Sequence, residues 1–288
     1  MNQIRSVLIT GGTGSFGTAF VKFLLTRPQI QRIVVFSRGE HAQAALRDAI
    51  GDSPVVRYMV GDVRDLARLT RACRGVDTVI HAAALKRIEV GAYNPDEMVK
   101  TNVIGTMNVI EAAIANDVAR VVGLSSDKAF EPCSPYGQSK ALAESLMLAA
   151  NITHGHTKFA CTRYGNVTGS QGSVIPKWKA LAKQGKTITV TDPNCTRFHM
   201  TMAQAVELVW DTAITMHGGE LAIPKDLPAY RVGSLAGVLQ VLYGVDIDVA
   251  GLPKFEKMHE SMNAQLCSFD ARKLSPAELM EIVKNVSI

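Results

Sequence analysis

Short apolar, β-branched runs alternate along the chain with longer stretches whose apolar positions recur at helical spacing. Residues 6–10, 32–36, 55–60, 78–82 and 120–125 read as strands, and 15–26, 40–50, 66–73 and 95–116 read as helices between them. Parallel strands need crossover connections, so the alternation predicts an α/β fold on a parallel, doubly wound sheet. Right-handed crossovers gather ligand-binding loops at the carboxyl ends of such strands. A helix over about 135–150 and a strand near 159–163 continue the pattern. After Gly165 the regularity fades, glycine and proline become frequent, and the elements are expected to shorten. Residues 1–165 are therefore expected to form the sheet domain, and 166–288 mainly a small substrate-binding lobe with some segments returning to the sheet.

With 288 residues, 47% of them hydrophobic and 20% charged, the chain can bury a sizeable core. Its formal charge of +5 is spread without a basic run, which argues against a nucleic-acid partner and suits an anionic small-molecule substrate. No apolar run reaches the roughly 18–20 residues of a membrane span, and the opening MNQIRSVLITGG leads straight into the first strand, so neither membrane nor leader is expected. Five widely spaced cysteines without a CxxC indicate neither disulfides nor a metal site, and a reducing cytoplasm is the expected compartment.

Gly11, Gly12, Thr13, Gly14, Ser15, Phe16 and Gly17 follow the first strand and open the first helix with GxxGxxG spacing. Glycine there lets backbone N–H groups approach a pyrophosphate at the helix N-terminus, as in a Rossmann dinucleotide site. NAD enzymes place a carboxylate at the end of the second strand. Here Ser37 and Arg38 stand there and could hold a 2′-phosphate, so NADP is expected over NAD, although Glu40 is near and Arg38 could be a solvated surface charge. Asp62 and Val63 follow the third strand, where Asp62 could accept from an adenine amino group or cap a helix; Ala82 and Ala83 follow the fourth, where small residues let a cofactor lie close. Tyr136 and Lys140 form YxxxK at a helix start, which puts the lysine on the tyrosine's face to bind the nicotinamide ribose and lower the tyrosine pKa for proton transfer.

Taken together, GGTGSFG, SRGE, GDVRD, HAAALKR, TNVIGTMNVIEA, LSSDKA, SPYGQSK, RYGNVTGSQGSVIP, TRF and HGGELAIPK make the chain resemble the extended short-chain dehydrogenase/reductases. Within them it is similar to the inverting UDP-N-acetylglucosamine 4,6-dehydratases of polysaccharide biosynthesis, over nearly its whole length. The resemblance implies Asp127 as general acid, Lys128 as general base, and Ser126 on the sugar. It adds Leu124 and Ser125 to the cofactor contacts, Lys86 to cofactor and substrate, and Asn166, Ser173 and Arg197 to the sugar and diphosphate. Oxidation of carbon 4 acidifies the proton on carbon 5. Lys128, with its pKa lowered by burial, would remove that proton while Asp127 protonates the departing hydroxyl at carbon 6. Return of the hydride to carbon 6 and reprotonation of carbon 5 on the other face leave NADP unchanged.

The chain departs from the family in two places. Pro253 stands where an arginine grips the diphosphate, with Lys254 adjacent as a substitute, and the loop after Lys86 lacks the family's proline. Alternatives are therefore a sugar-nucleotide epimerase or 4-keto reductase, or an NADP-binding protein without chemistry; Asp127 and Lys128 could then be only a salt-bridged loop pair. A homo-oligomer is expected, with Val99, Val103 and Val109 as either packing face or core.

Overall fold

The computed structural model describes residues 3–153 and 155–286. The chain runs β1 (Ser6–Thr10), α1 (Ser15–Leu25), β2 (Arg32–Ser37), α2 (Glu40–Ile50), β3 (Val56–Val60), α3 (Leu66–Ala72), β4 (Thr78–His81) and a short α4 (Ile88–Tyr93). Next, α5 (Pro95–Met98), a π-helical segment (Val99–Ile104) and α6 (Gly105–Ile114) make one continuous rod. After it come β5 (Arg120–Leu124), a 3-10 turn (Asp127–Ala129), α7 (Pro135–Thr153) and β6 (Lys158–Thr162). The remainder is β7 (Asn166–Val167), α8 (Val174–Lys183), β8 (Ile188–Val190), β9 (Thr196–Met200), α9 (Met202–Thr215), β10 (Leu221–Ala222), β11 (Ala229–Arg231), α10 (Val232–Tyr243), β12 (Ile247–Val249) and α11 (Pro276–Asn285).

Seven strands pair in the order β10-β6-β5-β4-β1-β2-β3, every neighbouring pair parallel. The doubly wound expectation is met, and the order reverses between β1 and β4, where the crevice for a ligand opens. Both faces are covered, which is why the strand sequences are nearly all apolar. Val7 and Ile9 pack towards Phe20 and Leu24 of α1 and Val206 and Val209 of α9. Leu8, Val34 and Phe36 point the other way, to Leu69 of α3, Val109 of α6 and Met147 of α7. The expected shortening after Gly165 occurs in the strands, where β7 and β10 have two residues and β8, β11 and β12 three, but not in the helices, where α9 has 14 residues and α10 has 12. Many of the glycines there mark turns between elements, while Gly233 and Gly237 lie within α10 and Pro176 within the first turn of α8. The chain beyond Gly165 divides its packing, since α9 and β10 join the large sheet while Ile175, Trp178, Ile188, Leu235 and Leu279 form a separate core. Along the rod Val103 and Val109 are buried but Val99 is exposed, so the first two are core and not a free packing face. No helix among the described residues is long and apolar enough to cross a membrane.

Polar ties beneath the crevice fix its walls. His81 Nδ1 lies 2.7 Å from Thr10 Oγ1, and its Nε2 lies 3.1 Å from Thr106 Oγ1. Asn102, in the π-helical segment, accepts from Leu85 N at 2.8 Å and donates to Leu85 O and Ser139 Oγ, both at 2.9 Å. It therefore ties the loop after β4 to the start of α7. Burial, helped by the Lys140 ammonium, lowers the His81 imidazole to about 3, so it is neutral in the fold. An unfolded chain takes up that proton near pH 6.5. Stability is therefore lost as pH falls from about 6.5 towards 3, at about 1.4 kcal/mol per unit. Urea unfolding across that range should show this slope in the wild type and its loss in His81→Gln; parallel curves would remove His81 from the acid response.

Candidate active site

The glycine loop joins β1 to α1 and leaves no side chain over the crevice. Gly11 has φ +66°, and a Cβ on it would stand 2.8 Å from Ala83 N; one on Gly17 would stand 2.5 Å from the Gly11 carbonyl oxygen. Only glycine fits this close approach. The N-cap of α1 is Gly14, which offers no capping side chain, so the first amides of the helix stay available to an anion. Thr13, Gly14, Ser15 and Phe16 border the cleft, as do Ala82 and Ala83 opposite. Ser15 Oγ accepts from Gln171 N at 2.8 Å, so a loop of the lobe rests directly on the start of α1.

Ser37 is buried at the end of β2, where its hydroxyl accepts from Gln43 Nε2 at 3.0 Å. The hydroxyl proton remains to donate. Arg38 is exposed on the cleft wall beside it. Asp62 borders the same region but is ion-paired to Arg64 at 2.8 Å, which in turn meets Glu97 at 2.8 Å. Val63 is buried and packs where a Cβ on Gly105 would lie 2.8 Å away.

The strand β5 ends at Leu124, and Ser125, Ser126 and Lys128 line the cleft beyond it. Ser126 caps the 3-10 turn by accepting from Lys128 N, and its hydroxyl donates to Asp127 Oδ1 at 3.0 Å. Lys128 Nζ donates to the same oxygen at 3.1 Å and to Asn166 Oδ1 at 3.4 Å, and it is ion-paired to Glu260 Oε1 at 3.2 Å. Asp127 Oδ2 is buried with no hydrogen-bond partner. Burial raises the Asp127 carboxyl, with Glu260 adding to the shift and Lys128 opposing it. For Lys128, burial alone would lower the ammonium, but Asp127 and Glu260 outweigh it and hold the pKa above the ordinary lysine range. The expected lowering is thus reversed by two carboxylates, Asp127 foremost and Glu260 in addition.

Tyr136 and Lys140 lie on the buried face of the first turns of α7. Tyr136 is hydrogen-bonded to Ser126, yet burial raises its hydroxyl against the pull of Ser126 and Lys128. Lys140 Nζ donates to the Leu124 carbonyl, and burial lowers its pKa. The cation acting on the tyrosine here is therefore Lys128, and the expected lowering of Tyr136 by Lys140 is not what this arrangement gives.

Among the residues expected for substrate, Lys86 is exposed on the cleft, Asn166 faces Lys128, and Ser173 is the N-cap of α8 with a buried, unpartnered hydroxyl. Arg197 differs. It is buried, donates to Thr196 O at 2.8 Å and Met258 O at 3.1 Å, and pairs with Glu256 at 2.6 Å, so its guanidinium is already engaged behind the lining residue Glu256. Lys254 is exposed and outside the lining, whereas Pro253, Phe255 and Glu256 belong to it. The residues not singled out from the sequence are Glu260 and Lys257, joined at 3.0 Å, and the lining residues Arg87, Lys177 and Trp178. The signal for Glu260 and Lys257 was the FEKMHE run, read only for the arginine it lacks.

The cleft holds about 1480 Å³, above the roughly 300–1,000 Å³ of a single small-molecule site, so it has room for two ligands side by side. Residues 7–278 match the family described as polysaccharide biosynthesis protein. A Campylobacter jejuni relative, UDP-N-acetylglucosamine 4,6-dehydratase (inverting), is 42% identical over 261 residues, covering 90% of this chain and 77% of that protein. A Rickettsia akari relative, UDP-glucose 4-epimerase, is 41% identical over 265 residues with the same coverage, 90% and 77%. The X-ray structure of Pen from Bacillus thuringiensis superposes with a TM-score of 0.92 at 34% identity over 98% of each chain. Matched from β1 to the first residues of α11, the chain belongs to the polysaccharide biosynthesis protein family.

Proposed function

We propose that the protein is an NADP-dependent 4,6-dehydratase that inverts carbon 5 of UDP-N-acetylglucosamine or a close relative, acting in the cytoplasm through 4-keto and enone intermediates. The observation that carries this reading is the Asp127–Lys128 contact, an acid and a base 3.1 Å apart beside Tyr136, with Asp127 Oδ2 left unpartnered in the interior. Epimerisation at carbon 4 requires no second acid/base pair. The 42% relative named as an inverting dehydratase supports the same choice.

The residues present suit a dinucleotide. The side-chain-free glycine loop and the open N-terminus of α1 fit a pyrophosphate, and Ser37 with Arg38 fit a 2′-phosphate. Ala82, Ala83, Leu124, Ser125, Tyr136 and Lys140 would border the remainder. The chemistry that group supplies when bound is a hydride acceptor at carbon 4 and a hydride donor at carbon 6. Tyr136 acts as the tyrosinate, its own proton lost to solvent first against the shift that burial imposes, and takes the proton of the 4-hydroxyl, with Ser126 holding the oxygen. Lys128 as the amine removes the proton on carbon 5, and Asp127 as the acid protonates the leaving hydroxyl at carbon 6. The pair reaches that state by moving one proton from the Lys128 ammonium to Asp127, with no loss to solvent. Delivering it to the hydroxyl while Lys128 gains the carbon 5 proton restores the resting charges of the pair; as hydride reaches carbon 6, a solvent proton enters carbon 5 from the face away from Lys128, balanced by release to solvent of the proton that Tyr136 took from the 4-hydroxyl.

Exposed Val99, Ile104 and Met107 on the rod and Leu142 on the adjoining α7 support a homo-oligomer formed through these helices. Light scattering should report a multiple of the chain mass for the wild type and the single-chain mass for Met107→Glu combined with Leu142→Glu; a monomeric wild type would discard this assembly. Arg38→Ala should weaken NADP binding by roughly 10–100-fold and leave NAD binding unchanged, as read by calorimetry. Equal effects on both cofactors would refute the 2′-phosphate assignment. Proton NMR with NADP and UDP-N-acetylglucosamine in heavy water should show a new methyl signal and deuterium at carbon 5. An epimer still hydroxylated at carbon 6 would support the epimerase reading instead, and an unchanged spectrum would mean another substrate or no chemistry.

A further inference from the structure

Lys128 is not paired with Asp127 alone. The lobe places Glu260 against it, and behind Glu260 stands a second ammonium, so charges alternate through Asp127, Lys128, Glu260 and Lys257 at 3.1, 3.2 and 3.0 Å. Glu260 is buried, and its backbone is pinned by donation to Ser268 Oγ at 2.9 Å. Lys257 also donates to the Phe130 carbonyl at 2.8 Å, which fastens this segment to the chain just after the catalytic turn. The other groups acting on the pair are Ser126, Tyr136, Asn166, Tyr230 and Arg197, the last also facing Glu260. A buried ion pair whose desolvation offsets its attraction adds little stability, so this row of charges calls for another role.

We propose that Glu260 is a positioning residue for the acid/base pair: through its ion pairs to Lys128 and Lys257 it holds the Lys128 amine at the cleft and fixes how the pair shares its proton. The inference rests on the dehydratase reading for its chemistry and on the geometry alone for its electrostatics. Glu260 favours the ammonium form of Lys128 and, as a neighbouring negative charge, favours protonated Asp127. Lys257 opposes both effects. Uptake of one further proton by the pair deprives the site of its base and produces the acid limb of activity. Removing the negative charge of Glu260 must move that limb down in pH, and removing the positive charge of Lys257 must move it up.

The test compares wild type, Glu260→Gln, Lys257→Met and the charge-preserving Glu260→Asp. One readout is the pH dependence of kcat on UDP-N-acetylglucosamine. The other, independent of turnover, is titration of the Asp127 carboxyl by carbon-13 NMR of aspartate-labelled protein, assigned by loss of the signal in Asp127→Asn. Glu260→Gln is expected to lower both midpoints by about one pH unit and kcat by roughly 10–100-fold. Lys257→Met is expected to raise both midpoints, and Glu260→Asp to restore the wild-type values. Midpoints that stay fixed, or that move the same way in both charge-removing variants, would overturn the proposal and leave Glu260 a structural tie. If the wild type turns over no UDP-N-acetylglucosamine, the substrate reading fails while the carboxyl titration still decides the role of Glu260. Should Glu260→Gln not fold, the upward shift in Lys257→Met and its absence remain opposed outcomes.

Discussion

The parallel sheet is the constraint on which everything else depends. Each strand must be followed by a crossover, so every β-to-α loop emerges on one edge, and the edge is deepest where the order reverses between β1 and β4. The glycine loop, Ser37, Asp62, Ala82, Ser125 and Gly165 are far apart in sequence and share this edge because each follows a strand of the same sheet. Burial of both faces, with Val7 and Ile9 on one and Leu8 on the other, holds the strands in register and thereby sets the loop spacing. Polar ties such as Thr10 with His81 and Asn102 with Leu85 and Ser139 then fix the loops relative to the sheet.

Charge is what the lobe adds. Asp127 and Lys128 come from the sheet domain, while Asn166, Glu260 and Lys257 reach them from beyond it. Closing that contact takes water from around four charged groups, a cost repaid only by their mutual attraction at close range. The lobe thus changes the pair's electrostatics as well as covering it, since Glu260 adds to Asp127 in raising Lys128 against the effect of burial. The same lobe engages Arg197 with Glu256 and so removes from the cleft a cation that the sequence offered to a diphosphate. Lys86, Arg87 and Lys177 are among the cations that line the cleft, together with Arg38, Lys128 and Lys140.

Much of this was legible in order along the chain. Periodicity of apolar residues gave the strands and most helices because it reports which face each short segment buries. The glycine loop, YxxxK and the Asp127–Lys128 dipeptide were legible because each places its groups within one turn or loop. The rod after Pro95 was legible as a helix, but its division between buried Val103 and exposed Val99 depends on what packs against each side and on the π-helical turn that rotates the later residues.

What the sequence by itself determined is the set of local geometries: a parallel α/β sheet, a glycine turn free of side chains, and the residue types able to exchange protons. What only the tertiary structure decided is the electrostatic state of those residues. Lys257 and Asp127 are 130 residues apart, and Arg197 and Glu256 are 59 apart, distances across which no spacing rule applies. Coulomb energies depend on separation in space and on the dielectric around the charges. Both are set by how the lobe packs onto the sheet, so the sign of each pKa shift and the occupancy of each cation became fixed only when the two met.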